Sequence, residues 1–260
     1  MGQLTYGCAS TREPVTPTAR TPIASHVPVH WADDPDIQAT VIGTPEFDPV
    51  SGKLWIADDH RVLRIANATD IESGATLLVD LVIGQTTKTN LCNRGLGAPA
   101  ANRLCSVRSI RFDRLGNLYD VENDYECHGN NRITMYAAAD LAAAQGLFPD
   151  LAATRVFGGT MTTPGSCAFS PIALTFDSTN RMVVATDGVF GDRRTRSVRQ
   201  LFLFPTPLTS QVPSATIKVP MGAPGEVQFD AADNLVIRDH TWHRAWVVNL
   251  NRDPSWIVPE

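Results

Sequence analysis

One phrase recurs four times in this chain and restricts what it can fold into: a Phe-Asp pair, a turn-forming run and two β-rich runs. The copies are FDPVSGKLWIADDHRVLRI from Phe47, FDRLGNLYDVENDYECHGNNRI from Phe112, FDSTNRMVVATDGVFGDRRTRSVRQLFLF from Phe176 and FDAADNLVIRDHTWHRAWVV from Phe229. They start 53 to 65 residues apart, a period at or just above the range that marks solenoids and propellers. A second element precedes three of the units: GQLTYGC ending at Cys8, VIGQTTKTNLC ending at Cys92 and VFGGTMTTPGSC ending at Cys167.

Within a unit, period-two alternation identifies strands. Ile110 and Phe112 flank Arg111, Leu174 and Phe176 flank Thr175, and Val227 and Phe229 flank Gln228, the pattern of a strand with two unlike faces. Each run ends at Asp48, Asp113, Asp177 or Asp230, followed within a few residues by Gly, Asn or Ser. Such side chains bond their own backbone or tolerate left-handed dihedrals, so a tight turn is expected there. Second strands are expected at KLWIA, NLYDV, RMVVA and NLVIR, and third strands at RVLRI, RITMY, RQLFLF and RAWVV. Fourth strands fit TLLVDLVIG, ATRVFG and ATIKVP. Four antiparallel strands per unit, repeated, describe an all-β chain built of β-propeller blades.

The expected organisation is a partial N-terminal blade or irregular segment over residues 1–46, then propeller blades over 47–260. With four clear blades, the array is expected to be truncated or incompletely closed. A content of 43% hydrophobic and 19% charged residues supports a sizeable core. The net charge of -5 provides no field for nucleic acid or an anionic membrane surface. No apolar run is long enough for a membrane span. The opening MGQLTYGCAS has neither the basic end nor the apolar stretch of a secretory leader.

The stretch GNLYDVENDYECHGNNRI, Gly116 to Ile133, resembles an NHL repeat, and SGKLWIADDHRVLRI is similar with a shorter loop. Asp120 stands where a strand Val is usual, Arg238 stands where a small Ala is usual, and the third copy carries an arginine-rich insertion. The resemblance covers roughly residues 40 to 260 and implies a propeller. The units are longer than usual for the family, as in certain bacterial extracytoplasmic members. The family includes protein-binding and RNA-binding modules, sensor domains of bacterial kinases and a lyase of peptide amidation, so no single activity follows from it.

Cys92 and Cys105 bracket a Gly- and Ala-rich loop, and a disulfide there would stabilise the fold by about 3 kcal/mol. Cys127 and Cys167 form a candidate second pair, leaving Cys8 over. Disulfides imply an extracytoplasmic or secreted protein; five reduced thiols in a cytosolic protein are the alternative. No C-x2-C spacing marks a structural zinc site.

The loops between second and third strands concentrate chemistry-bearing side chains. They hold Asp58, Asp59 and His60 in the first copy, and Glu122, Asp124, Glu126 and His128 in the second. Asp187 lies there in the third copy, and Asp239, His240, Trp242 and His243 in the fourth. Carboxylates and imidazoles on one face are a candidate divalent-metal site for zinc or calcium, with DHTWH its best fragment. Against this, Asp58, Glu122 and Asp239 align with the acid that NHL-like repeats use to brace the loop. Propeller lactonases draw metal ligands from positions that here hold Thr44, Ser109, Ala173 and Glu226, and one carboxylate is too few for calcium. No nucleophile elbow or phosphate-cradling motif occurs. Arg193, Arg194 and Arg196, followed by Arg199, form the sharpest surface signal, since the planar guanidinium suits carboxylates.

The expected function is therefore non-enzymatic binding of a protein or polysaccharide through the loop face, with no cofactor and nucleic acid ranked below both. The candidate ligand-binding residues are Arg193, Arg194, Arg196, Asp58, His60, Glu122, Asp124 and Trp242. The alternative is a lactonase-like or amidating-lyase-like enzyme, a metal-assisted lyase or hydrolase using Asp239, His240, His243 and Glu226.

Overall fold

The structure, a computed structural model, describes residues 29–31, 45–66, 68, 77–123, 129–160, 169–186 and 200–259. Its strands form four sheets. The first comprises β1 (Val29–Trp31), β2 (Glu46–Phe47), β3 (Leu54–Asp58), β4 (Arg61–Ile65) and β5 (Leu77–Ile83), in the order β1-β5-β4-β3-β2. The second is β6 (Val107–Phe112), β7 (Leu118–Glu122), β8 (Arg132–Tyr136) and β9 (Arg155–Phe157). The third is β10 (Pro171–Phe176), β11 (Met182–Thr186), β12 (Leu201–Phe204) and β13 (Ala215–Ile217), and the fourth is β14 (Pro224–Phe229), β15 (Leu235–Asp239) and β16 (Arg244–Val248). The last strand, β17 (Ile257–Pro259), returns to pair with β13 in the third sheet. Every pairing is antiparallel except β1 with β5. A short helix, α1 (Ala138–Ala143), lies between β8 and β9; its alanine-rich run is a strong helix former.

The sheets are blades. The strands β2, β6, β10 and β14 that carry the Phe-Asp ends lie side by side, each against its neighbour in the adjacent sheet, and the sheets stack face to face about them. Alternate residues of each strand go to opposite faces, and neighbouring blades cover both. Trp55 and Ala57 join Ile110, Phe112 and Leu118 in the core between the first two blades. Tyr119 and Val121 join Leu174, Met182 and Val184 between the second and third, and Val183 and Ala185 join Val227, Leu235 and Ile237 between the third and fourth. Leu54, Ile56, Leu63 and Ile65 form a further cluster on the other face of the first blade. Two-sided burial explains why the second strands read as nearly continuous apolar runs. Among the described residues the blades do not close into a ring.

The Phe-Asp phrase works as a strand end and a turn. Asp113 accepts the backbone N–H groups of Leu115 and Asn117, both at 2.9 Å. Asp177 does the same for Thr179 and Arg181, and Asp230 for Ala232 and Asn234. The left-handed position of the turn falls on Gly116, Asn180 and Asp233, with φ of 81°, 66° and 57°, residue types that occupy it at low cost. The turns also meet across blades: Arg114 N–H donates to Asn180 and Ser178 N–H donates to Asp233. Each of β6, β10 and β14 carries a register shift near its start, at Val107/Ser109, Pro171/Ala173 and Pro224/Val227.

The four phenylalanines are equivalent in position but not in burial. Phe112 is buried and packs edge-on to Trp55, with ring centroids 5.9 Å apart. Phe176 packs against Tyr119 at 4.8 Å. Each ring thus leans on the second strand of the blade before it. Phe47 belongs to the first blade, has no such strand beside it among the described residues, and is 58% exposed.

Candidate loop-face site

The loops between second and third strands are held by one device used three times. A buried acid ends the second strand and an arginine begins the third. Asp58 pairs with Arg61 and Glu122 with Arg132, each at 2.6 Å, while Asp239 lies 3.7 Å from Arg244. The arginines continue to carbonyls of the connecting segments: Arg61 to Lys88, Arg132 to Ala100, Arg103 and Thr160, and Arg244 to Pro220. Asp58, Glu122 and Asp239 are fully buried, so their carboxylates fasten loops. In the third blade Thr186 takes the acid's place and donates to the Gln200 carbonyl.

Glu122 sits at the centre of the best developed brace. Its carboxylate also accepts from Cys105 N–H at 2.8 Å and from the Asn130 amide. Burial pushes its pKa up against the opposing pull of Arg132. The neighbouring Asp120 is raised further, by burial first and then by the Glu122 charge, and it accepts a hydrogen bond from the Thr134 hydroxyl. Cys92 and Cys105 are disulfide-bonded, and the loop they close is the one Arg132 grips. Cys8, Cys127 and Cys167 lie outside the described residues.

His60 is a tie between blades: its Nδ1 accepts from Ser106 N–H at 3.0 Å, and its Nε2 lies 3.2 Å from Asp59. Ser109 and Ala173 are strand residues, and Ala173 is buried. Glu226 is exposed and 3.5 Å from Arg238. Thr44, Asp124, Glu126, His128, Asp187, Arg193, Arg194, Arg196 and Arg199 lie outside the described residues.

The fourth blade differs from the others because the arginine of its brace is open to solvent while the acid stays buried. Arg238, Asp239, His240, His243, Arg244 and Ala245 line a cleft of about 300 Å³. Trp242, 62% exposed, stands beside it. The Arg244 guanidinium carbon lies 5.5 Å from the Trp242 ring and 4.2 Å from the Trp246 ring, stacked against both aromatic rings by cation–π attraction. His240 lies over Gly225, where a Cβ would come within 1.9 Å of its Nε2; only glycine allows this approach. The sequence pattern identified Trp242 but missed Arg244 and Trp246, whose i, i+2 spacing after Trp242 was the available signal.

This arrangement does not fit a metal. Asp239 spends its Oδ1 on the N–H groups of Ala223, Thr241 and Trp242 and its Oδ2 on Gly222 N–H and the Trp246 indole. Burial alone would raise its pKa, but these donors outweigh it and hold the carboxyl at about 2. Two arginines share the cleft with the histidines. Among the described residues no three His, Cys, Asp or Glu side chains converge as metal ligands.

No protein-family model matches the chain, and no curated protein does. Among solved structures, it is similar to a streptogramin B lyase at 12% identity and a TM-score of 0.46, covering 83% of this chain and 54% of that one. A Dos1 propeller shows 10% identity and 0.45, over 84% and 47%. The WD40 repeats of RRP9 show 12% and 0.43, over 81% and 51%. The chain spans about half the length of the structures it matches. The assignment of blades rests on this chain's own strand order and stacking.

Proposed function

We propose that this chain is a non-enzymatic, NHL-like binding propeller of a bacterial type, working outside the cytoplasm, which takes a carboxylate-bearing protein or polysaccharide on its loop face. The observation that supports it is the Trp242–Arg244–Trp246 stack at the mouth of the fourth-blade cleft. A half-exposed guanidinium held against aromatic rings loses little freedom on binding, and with its Nη2 on the Pro220 carbonyl it turns Nη1 to a carboxylate. Arg238, on the same cleft, adds a second cation. The acid that lines the cleft, Asp239, is spent inside the brace, while exposed Glu226 lies against Arg238. Arg193, Arg194 and Arg196 belong to the corresponding loop of the third copy and extend the same chemistry. The Cys92–Cys105 bond favours an oxidising compartment.

Calorimetry with polyglutamate and polygalacturonate, as protein-like and polysaccharide probes, tests the proposal. One of them should bind, more weakly as salt rises, and the Trp242→Ala, Arg244→Ala double variant should lose that binding. Absence of binding to both probes, or binding unchanged in the double variant, overturns it. Stoichiometric zinc or calcium in the purified protein would instead support the metal-assisted enzyme.

A further inference from the structure

At the opposite end of the blades the four innermost strands run out together around a cavity of about 420 Å³. It is lined by Glu46, Arg111, Phe112, Phe176, Gln228 and Phe229 and by the turns that follow them. The strand β15, five residues long, separates this cavity from the loop-face cleft, and at about 3.3 Å each they make that distance about 16 Å. The two sites are therefore independent.

The cavity's polar groups sort into spent and unspent. The turn acids are spent: Asp177 on Thr179 and Arg181, Asp230 on Ala232 and Asn234, Asp233 on the backbone and hydroxyl of Ser178. Arg111 uses Nη1 on Glu46 Oε2 at 2.8 Å and on the Ile110 carbonyl, and among the described residues its Nε and Nη2 have no partner. Arg114 likewise uses only Nη1 of its side chain, on the Ser178 carbonyl. Among the described residues the Gln228 carboxamide has no partner, nor has Glu46 Oε1. The unspent set thus contains donors, from the two arginines and Gln228, and acceptors, from Gln228 and Glu46. The lining holds two arginines against four carboxylates, and Arg181 beside Asp177 brings this to three against four, so the cavity has a small net negative charge and no attraction for an anion. The apolar part is aromatic and comes from three blades at one equivalent position.

Mixed donors and acceptors, turn acids already bonded and aromatic rings together match a ligand with hydroxyls around its rim and an apolar C–H face. We infer that this cavity binds a neutral saccharide of mono- or disaccharide size, its ring against Phe176 and Phe229 and its hydroxyls on Arg111, Gln228 and Glu46. The volume lies in the range of small-molecule sites, about 300 to 1,000 Å³. A hydroxyl both donates and accepts, so it satisfies the amide and the guanidinium–carboxylate pair without breaking the latter. A carboxylate ligand would meet Glu46 and gain less.

Saturation-transfer NMR on the full chain with glucose, galactose, mannose, maltose, cellobiose and lactose tests this, with benzoate as an anionic comparison. At least one sugar should receive saturation from aromatic protons, strongest on one ring face. Gln228→Leu replaces an exposed, unpartnered side chain and should leave the fold intact while weakening that sugar about five- to tenfold, the effect of one lost hydrogen bond. Phe229→Ala, with its fold checked by circular dichroism, should weaken the same sugar and abolish the face selectivity. No transfer to any of the sugars, preferential binding of benzoate, or sugar binding unchanged in Gln228→Leu overturns the inference.

Discussion

Removing the Cys92–Cys105 bond should destabilise the chain by about 3 kcal/mol, with almost no change in the folded state. The bonded residues are 13 apart in sequence, and closing a loop of this size removes about 10 cal/mol/K from the unfolded ensemble, about 3 kcal/mol at 25 °C. The folded loop has other fastenings. Arg94 donates to the Gly84 carbonyl at 3.1 Å and pairs with Asp150 at 2.6 Å. Asn93 and Asn130 exchange amide bonds at 3.0 Å, and Arg132 holds the carbonyls of Ala100 and Arg103. The reduced protein should keep this geometry, so the loss falls on the unfolded side of the equilibrium. With a urea dependence of about 2 to 3 kcal/mol/M for a chain of this size, the Cys92→Ser, Cys105→Ser variant should unfold about 1 M earlier by tryptophan fluorescence. Coincident midpoints for the oxidised and doubly substituted proteins would refute this account.

Phe112→Ala should cost about 3 to 5 kcal/mol, because it opens a cavity against Trp55, whereas Phe47→Ala, at an exposed site, should cost under about 1 kcal/mol; equal losses in urea titrations would contradict the burial difference. Two acids should respond to pH in opposite senses. Asp239, held at about 2, contributes stability above its unfolded value near 4 that is lost as pH falls towards 2, so Asp239→Asn should flatten the acid limb of a midpoint-against-pH curve. Asp120, held well above its usual range by burial and then by the Glu122 charge, ionises in the unfolded chain at lower pH than in the folded one, so stability falls as pH rises past about 4. Asp120→Asn should therefore gain on wild type as pH rises above about 4, and a constant offset would argue against a raised Asp120. Substituting Arg193, Arg194 and Arg196 together by Ala should weaken polyglutamate or polygalacturonate binding and flatten its salt dependence, while His240→Ala with His243→Ala should change it little; calorimetry yielding the reverse order would favour the metal-assisted enzyme.

The blades were readable in the sequence because their signals are local. The Asp of each turn sits next to the strand it ends, and the left-handed position three residues on is Gly116, Asn180 or Asp233, so backbone need and residue type coincide. The third strands begin at Arg61, Arg132 and Arg244, yet the role of those arginines depends on an acid across a loop of varying length, and only the acids stood out. The exposure of Phe47 depends on which strand lies beside it, which its own neighbours in sequence do not determine. The cavity at the strand ends was illegible for a stronger reason. Glu46, Arg111, Thr175 and Gln228 occupy one position in four copies, but each is unremarkable alone, and the cavity exists only where the four strand ends meet.

The return of β17 to the third blade has a mechanical consequence. The fourth blade is inserted in sequence between β13 and β17, two neighbouring strands of the third, and Lys218 N–H donates to the Trp256 carbonyl at 2.9 Å where the excursion begins and ends. In a linear array of repeats the terminal unit can fray by itself. Here the last sheet hangs from a closed loop whose knot of contacts includes Trp256 and Ile257 in the same apolar cluster as Leu235 and Ile237. A pull on the chain after β17 loads the β13–β17 pair first, and amides of the fourth sheet should exchange with solvent in openings shared with that pair rather than in independent ones.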